Sequence, residues 1–107
     1  MANQTTAEHF VGAGAALLDL YGPFRWRSKI DRGTLAIPSN YDCVLGQLYG
    51  SFQEGLAEIE QLSGIPAYRW GYTTGFMPSV AANATQLRFA WIRLLPPAAP
   101  ISLGMAA

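Results

Sequence analysis

The chain contains a single cysteine, Cys43, and a single histidine, His9, and these two residues bear first on any chemistry. Cys43 follows Asp42 and precedes an apolar pattern with helical spacing. A cysteine at a helix start lies in the field of the helix dipole, which lowers its pKa and favours the nucleophilic thiolate. The stretch "SNYDCVLGQLYG" at 39–50 therefore has one of the sequence features of a reactive thiol.

A thiol nucleophile also needs a base, and the sequence offers none in the usual place. Papain-like cell-wall cysteine peptidases place their nucleophile at this kind of position and pair it with a histidine that usually lies downstream. No histidine follows Cys43, and Val44 and Leu45 replace the Ser-Gly pair that commonly comes next in those enzymes. We therefore interpret Cys43 as structural and expect the chain not to be an enzyme.

Small residues at helical spacing favour a packing role for this stretch. Cys43, Gly46 and Gly50 fall on one helix face, and a buried free cysteine behaves as a small hydrophobe. The pattern predicts that a second helix approaches this face closely. Gly12 and Gly14, in a helical pattern nearer the N-terminus, could form the matching surface.

Metal and cofactor sites have little support in the composition. One cysteine and one histidine exclude an intrachain disulfide and a cysteine-rich zinc site. Glu54 and Glu58 share a helix face, but no histidine joins them, and exposed glutamates are ordinary on an amphipathic helix. The "GAGA" stretch at 12–15 lacks the preceding strand and the lysine of a phosphate-binding loop. We expect neither a metal nor a cofactor.

The charges are balanced overall but segregated along the chain. Seven basic and seven acidic residues give a net charge of zero, which disfavours a role driven by bulk charge at a membrane or on nucleic acid. The segment Arg25–Arg32 still interleaves Trp26 with bases, so a small nucleic-acid-binding site there is an open alternative. We favour a solvated basic loop, or one paired with Glu54, Glu58 and Glu60.

The composition favours contacts with another protein. Half of the residues are hydrophobic and only 13% are charged, so much of the surface must be apolar or neutral. Tryptophan, tyrosine and arginine dominate the binding energy of protein interfaces. Two tryptophans stand beside arginines and are the candidate partner-binding positions: Arg25, Trp26 and Arg27 in one group, Arg69 and Trp70 in the other. Association between copies of the chain is also compatible with this composition.

Helical patterns set the order of the elements. Thr5 and Glu8 have capping-box spacing ahead of an apolar face, and Gly22-Pro23 ends this first helix. Residues 23–38 read as a linker with a single helical turn or an edge strand. A second, longer helix is expected from the cap spacing at Ser39 to the "SGIP" at 63–66, with a break near Gly50–Ser51.

Aromatic residues at even positions from Tyr68 to Phe76 predict a strand or extended loop whose aromatic side covers the core. A last helix follows, capped by Asn83 or Thr85 and ended by Pro96 and Pro97. The predicted fold is mainly α: a compact single domain of about three helices, spanning residues 1–95, with a short aromatic extended segment between helices two and three. Residues 96–107 form an uncharged Pro/Ala-rich tail, whose candidate docking residues are Pro96, Pro97, Pro100, Ile101 and Leu103.

Part of the chain is similar to a known set of proteins. The run "YDCVLGQLYGSFQEGL", the "GY…GF" at Gly71–Phe76 and the "AWIRL" at Ala90–Leu94 resemble small uncharacterised proteins encoded by actinobacteriophages. These share a Cys-Val-Leu-Gly-Gln-Leu core, a Gly-Leu soon after it, a downstream Gly-Phe and a tryptophan-bearing C-terminal helix. The resemblance spans roughly Ile30 to Leu95 and implies a setting, infection of an actinobacterium, without an activity. The first helix and the tail depart from it.

Taken together, these patterns predict a small non-enzymatic phage accessory protein that binds a host or phage protein. The first residues have neither the basic start nor the apolar core of a signal peptide, and no apolar run is long enough to cross a bilayer. We therefore expect the cytoplasm of the infected host and no membrane partner. Two alternatives stay open: a virion decoration or minor structural protein whose tail docks on a neighbouring subunit, and a nucleic-acid binder using Arg25–Arg32.

Overall fold

The computed structural model describes residues 2–96, with side chains from residue 6 onward, and is mainly helical. It contains four α-helices: α1 at Ala2–Tyr21, α2 at Val44–Tyr49, α3 at Phe52–Ser63 and α4 at Ala84–Leu94. Two short 3₁₀ turns lie at Trp26–Lys29 and Ala67–Arg69. Between residues 2 and 96 there is no β-strand. The predicted mainly α fold is confirmed.

Helices α1 and α4 pack against each other along one apolar face each. Buried positions at helical spacing form the α1 face: Ala7, Val11, Ala15 and Leu18. The α4 face is formed by Leu87, Ala90 and Trp91, all fully or almost fully buried. An ion pair between Arg93 and Glu8 (2.7 Å) also joins the two helices at their exposed side. The α1–α4 pair is therefore one half of the core.

Helices α2 and α3 form the other half and meet at the break predicted near Gly50. Gly50 adopts a φ of 100°, a conformation that L side chains rarely adopt, and its N–H donates to the carbonyl of Gly46. The Ser51 hydroxyl then accepts from the N–H of Glu54 and begins α3. Gly55 on α3 faces Leu45 of α2 so closely that a Cβ there would lie 2.7 Å from the leucine.

The "CVLGQL" run has a physical explanation in the way α2 begins. Cys43 is the N-cap, and its sulfur accepts a hydrogen bond from the N–H of Gly46 at 3.3 Å. Gln47 fastens the preceding loop to the helix, because its side chain accepts from the N–H of Asp31 and donates to the carbonyls of Asp31 and Asp42. Three residues of the run thus shape one corner of the fold.

The last helix begins at one of the two residues proposed for its cap. Asn83 is the N-cap of α4, and its side chain accepts from the N–H of Gln86 at 2.9 Å. The Gln86 side chain returns a bond to the Asn83 N–H at 3.0 Å, which completes a capping box. Thr85, the other candidate, lies inside the helix.

Three predictions about local structure were wrong. The second helix begins at Val44 with Cys43 as its N-cap, while the Ser39 hydroxyl accepts from the N–H of Asp42 in the turn before it. The first helix begins at Ala2, so Thr5 and Glu8 lie within it and not at its start. The aromatic segment after α3 is not extended: the N–H groups of Trp70 and Gly71 both donate to the carbonyl of Ala67, which curls the chain into a tight turn. The aromatic residues at even positions therefore do not share one side of the chain: Trp70 and Phe76 are buried, while Tyr68 and Tyr72 are exposed.

Four aromatic rings form a continuous row through the core. Trp26 meets Trp91 edge-on at 6.1 Å between ring centroids, Trp91 stacks on Phe76 at 5.8 Å, and Phe76 meets Trp70 edge-on at 6.1 Å. Each indole N–H has an acceptor: the Asp19 carboxylate for Trp26, the Ile65 carbonyl for Trp70 and the Gly75 carbonyl for Trp91. This aromatic row fixes the turn at 22–29, where the candidate site lies.

Candidate protein-binding surface

The candidate site is built where α1 ends. The N–H of Gly22 donates to the carbonyl of Leu18 at 2.7 Å, and Pro23 cannot extend the helix. The chain then reverses into the 3₁₀ turn at Trp26–Lys29. This brings the turn back over the last residues of α1, including Asp19.

Asp19 connects the turn to the helix. Its Oδ1 accepts from the Trp26 indole N–H at 3.0 Å and from Arg27 at 2.6 Å, and its Oδ2 accepts from Arg27 at 3.4 Å. Hydrogen bonds from Arg27 and then Trp26 lower the pKa of Asp19, so its carboxylate is ionised and engaged. The Arg27 guanidinium also lies over the Trp26 ring, 4.5 Å from its centroid.

Trp26 and Trp70 are not exposed anchors, contrary to the sequence-based hypothesis. Trp26 is 3% exposed and Trp70 is 7% exposed, because both belong to the aromatic row. Their arginine neighbours behave differently from each other: Arg25 and Arg69 are exposed, whereas Arg27 is committed to Asp19. The exposed aromatic groups instead lie two residues before each tryptophan, at Phe24 (82%) and Tyr68 (82%).

Arg25 has an unusual backbone. Its φ of 59° and ψ of 39° lie in the left-handed region, and it is the one non-glycine residue between 2 and 96 with positive φ. A residue with a Cβ pays roughly 1–2 kcal/mol for this conformation. The N–H and the hydroxyl of Ser28 both bond to the Arg25 carbonyl, at 3.1 and 2.9 Å, and hold it there. The side chain projects over Phe24, with Cζ 5.5 Å from the ring centroid.

An open crevice of about 420 Å³ lies at this corner, and we name it the Arg25 crevice. Its lining comprises an apolar and aromatic part, two cations and one carboxylate: Leu18, Asp19, Gly22, Pro23, Phe24, Arg25, Trp26 and Arg27. Lys29 follows at the end of the same 3₁₀ turn and is exposed. The crevice can therefore offer an exposed aromatic ring and an uncommitted guanidinium side by side.

Of the two expectations for the basic segment, pairing with the acids of α3 was wrong, whereas Arg25 and Lys29 are exposed as in a solvated loop. Within residues 6–96 the ion pairs are Arg27–Asp19 and Arg93–Glu8. Glu60 is engaged elsewhere, because it accepts from the N–H of Ala67 at 2.6 Å and holds the turn after α3. Glu54 and Glu58 lie exposed on their helix.

Cys43 is buried, and its surroundings do not favour the nucleophilic thiolate. It is 1% exposed, and burial raises the pKa of its thiol. It contributes to the wall of a second pocket of about 250 Å³, which is otherwise lined mainly by apolar side chains and by Ser39 and Asn40. His9 is exposed on α1, and the described residues hold no cluster of three or more His, Cys, Asp or Glu suited to a metal.

The predicted close-packing face needs correction at two of its three residues. Gly46 does lie in tight contact, but against the backbone of the preceding turn: a Cβ there would be 2.5 Å from the Asn40 oxygen. Gly50 is the C-cap of α2 with a φ of 100°, and a Cβ there would lie 2.8 Å from the Glu54 side chain at the start of α3. On α1 the close contact is made by Gly14, against the carbonyl of Thr74, while Gly12 faces open space.

Only one candidate docking residue of the tail can be placed. Pro96 is exposed just beyond α4. Pro97, Pro100, Ile101 and Leu103 lie outside the described residues.

No helix within residues 2–96 is both long enough and apolar enough to cross a membrane.

Comparison with protein-family models, with curated proteins and with solved structures finds no match to this chain. The geometry of the Arg25 crevice is therefore the basis for assigning a role. Sequence reasoning named Arg25 but missed Phe24 and Asp19. The helix-ending pair Gly22-Pro23 could have predicted the exposure of Phe24, since the residue after this pair lies beyond the helix at the surface. The Asp19–Trp26 bond had no sequence signal.

Proposed function

We propose that this chain is a small non-enzymatic accessory protein that binds another protein through the Arg25 crevice. The resemblance of the "CVLGQL" region to actinobacteriophage proteins supplies the setting: a host or phage protein as partner, in the cytoplasm of the infected cell. The observation that carries the proposal is the pair formed by Phe24 and Arg25, an exposed aromatic ring and an exposed guanidinium presented together on a fixed turn.

The rigidity of this turn supports a binding role. A segment whose backbone is already fixed loses less entropy when a partner binds. Trp26 is held by Asp19 and by the aromatic row, and Ser28 holds the Arg25 carbonyl. Aromatic and arginine side chains are also the types that contribute most to protein interfaces.

The nucleic-acid alternative has less support than protein binding. Strong binding to a phosphate backbone draws on several lysine and arginine contacts. Of the basic segment, Arg27 is bonded to Asp19 and Arg32 is half-buried, which leaves Arg25 and Lys29 exposed. A mobility shift at low salt that weakens in Arg25→Ala/Arg27→Ala would favour nucleic acid, and its absence would remove that alternative.

A tagged pull-down from infected-cell lysate, with and without nuclease, tests the proposal. We expect wild-type protein to capture one host or phage protein in a nuclease-resistant manner, and Phe24→Ala to lose it. Phe89→Ala removes a ring that is 51% exposed on α4 and serves as the matched control. Capture that survives Phe24→Ala would place binding elsewhere, and recovery of the chain alone, together with its presence in purified particles, would favour a virion component.

A further inference from the structure

The Arg25 crevice has an excess of positive charge that no ion pair within residues 6–96 neutralises. Asp19 is the one carboxylate in its lining, and both of its oxygens are bonded to Arg27. Neither Arg25 nor Lys29 forms an ion pair with a carboxylate in the part of the chain whose side chains are described. The Arg25 guanidinium instead lies over the exposed ring of Phe24.

From this charge complementarity we infer that the occupant of the Arg25 crevice is an acidic segment of a partner protein. A carboxylate of that segment binds the guanidinium of Arg25, and a neighbouring apolar side chain packs on Phe24 and Pro23. This inference rests on the proposed function and specifies the chemistry of its partner. Arginine suits the role, because its planar group can bind a carboxylate through two parallel hydrogen bonds.

The lining of the crevice favours a peptide carboxylate over a polyanion. The Asp19 carboxylate lies in the same wall and repels any dense negative charge brought against it. Two exposed cations, Arg25 and Lys29, match one or two carboxylates and fall short of the contacts used by a nucleic-acid backbone. The apolar wall of Leu18, Pro23 and Phe24 would gain nothing from a bare phosphate.

The backbone of Arg25 provides an independent argument. Glycine would adopt this left-handed conformation without the steric penalty that the arginine Cβ incurs. The arginine side chain does not offset this cost in folding, since it is exposed and lies over Phe24, which is itself exposed. Residues with a strained backbone cluster at functional sites, where the side chain is retained for binding and not for stability.

Selection from a displayed random dodecapeptide library tests the inference directly. The library is panned on wild-type protein, on Arg25→Gly and on Arg69→Ala, which removes an exposed arginine from the turn after α3. We expect wild type and Arg69→Ala to enrich peptides that carry Asp or Glu next to an aromatic or aliphatic residue, and Arg25→Gly not to. Replacing the acids of an enriched peptide by Asn or Gln should weaken binding by at least about tenfold.

Several outcomes would overturn the inference. Enriched peptides without acids, or equal affinity for Arg25→Gly, would show that the crevice does not select carboxylates. Competition of a single-stranded oligonucleotide for the selected peptide would reassign the site to phosphate. Self-association that Arg25→Gly abolishes would make a second copy the occupant. If any of these occurs while a lysate protein is still captured, the protein-binding proposal stands and only the partner's chemistry is wrong.

Discussion

The indole N–H of Trp26 donates a hydrogen bond to the carboxylate of Asp19 across 3.0 Å, which ties the 3₁₀ turn to the last residues of α1. The same indole packs edge-on against Trp91 of α4. One side chain therefore fixes the turn both to the helix before it and to the core behind it. Phe24 and Arg25 directly precede Trp26, so this attachment also fixes the position of their backbone.

Arg25→Gly should separate stability from binding. The substitution relieves the left-handed strain of an L residue but adds freedom to the unfolded chain, so we expect the free energy of unfolding to rise by about 0.5–1 kcal/mol. Lys29→Gly, at a position of negative φ in the same turn, should lower it by a similar amount. Urea denaturation measures both, and a destabilised Arg25→Gly would contradict the strain argument.

Two glycines of α1, Gly12 and Gly14, offer a matched test of packing. A Cβ at position 14 would collide with the Thr74 carbonyl and lie 3.1 Å from the Trp91 ring, whereas one at position 12 would meet nothing within 4 Å. We expect Gly14→Ala to lower the free energy of unfolding by about 1–3 kcal/mol. Gly12→Ala should raise it by about 0.5–1 kcal/mol through helix propensity. Equal thermal midpoints for the two variants would refute this account of the α1 contact.

Asp19 should make the stability pH-dependent in acid. Because bonds from Arg27 and Trp26 lower its folded-state pKa, its contribution is complete above the ordinary carboxyl value of 3.8 and disappears as the pH falls through the lower, folded value. Both partners are about half exposed, so the contribution is about 1 kcal/mol or less. Asp19→Asn should thus be less stable than wild type at pH 7 and match it in strong acid. Asp42→Asn, another exposed aspartate, is the control for loss of charge.

The thiol of Cys43 should react only when the protein opens. Cys43 is buried at the start of α2, its sulfur accepts from the N–H of Gly46, and its raised pKa keeps the thiol protonated at neutral pH. We expect alkylation by iodoacetamide to be at least about a hundredfold slower in native protein than in denaturant, in proportion to the opening equilibrium. Labelling of the native protein at the rate of an unfolded-chain thiol would instead revive a reactive role.

Two features that depend on neighbours in sequence were predictable. The break at Gly50–Ser51 follows from a glycine beside a good N-cap residue, and the start of α4 follows from the capping pattern of Asn83 and Gln86. In each case the hydrogen bonds that decide the structure are made within four residues. Local rules are enough to find them.

The burial of Trp26 and Trp70 was not predictable in that way. An indole beside an arginine has the composition of a binding anchor, and only the distant rings of Trp91 and Phe76 decide that it belongs to the core. The pairing of Arg27 with Asp19 instead of the α3 glutamates depends likewise on how the turn folds back over α1. The sequence therefore named Trp26 and Trp70 as exposed anchors, whereas the exposed rings in these two segments are Phe24 and Tyr68.

The aromatic row also makes the protein its own optical reporter. All three tryptophans belong to it, so the tryptophan contributions to absorption, emission and near-ultraviolet circular dichroism arise from one set of adjoining rings. Trp26 is at once a member of that set and part of the crevice wall. A bound partner that shifts this indole would change its coupling to Trp91. Binding could then be followed in the near-ultraviolet circular dichroism of the unlabelled protein.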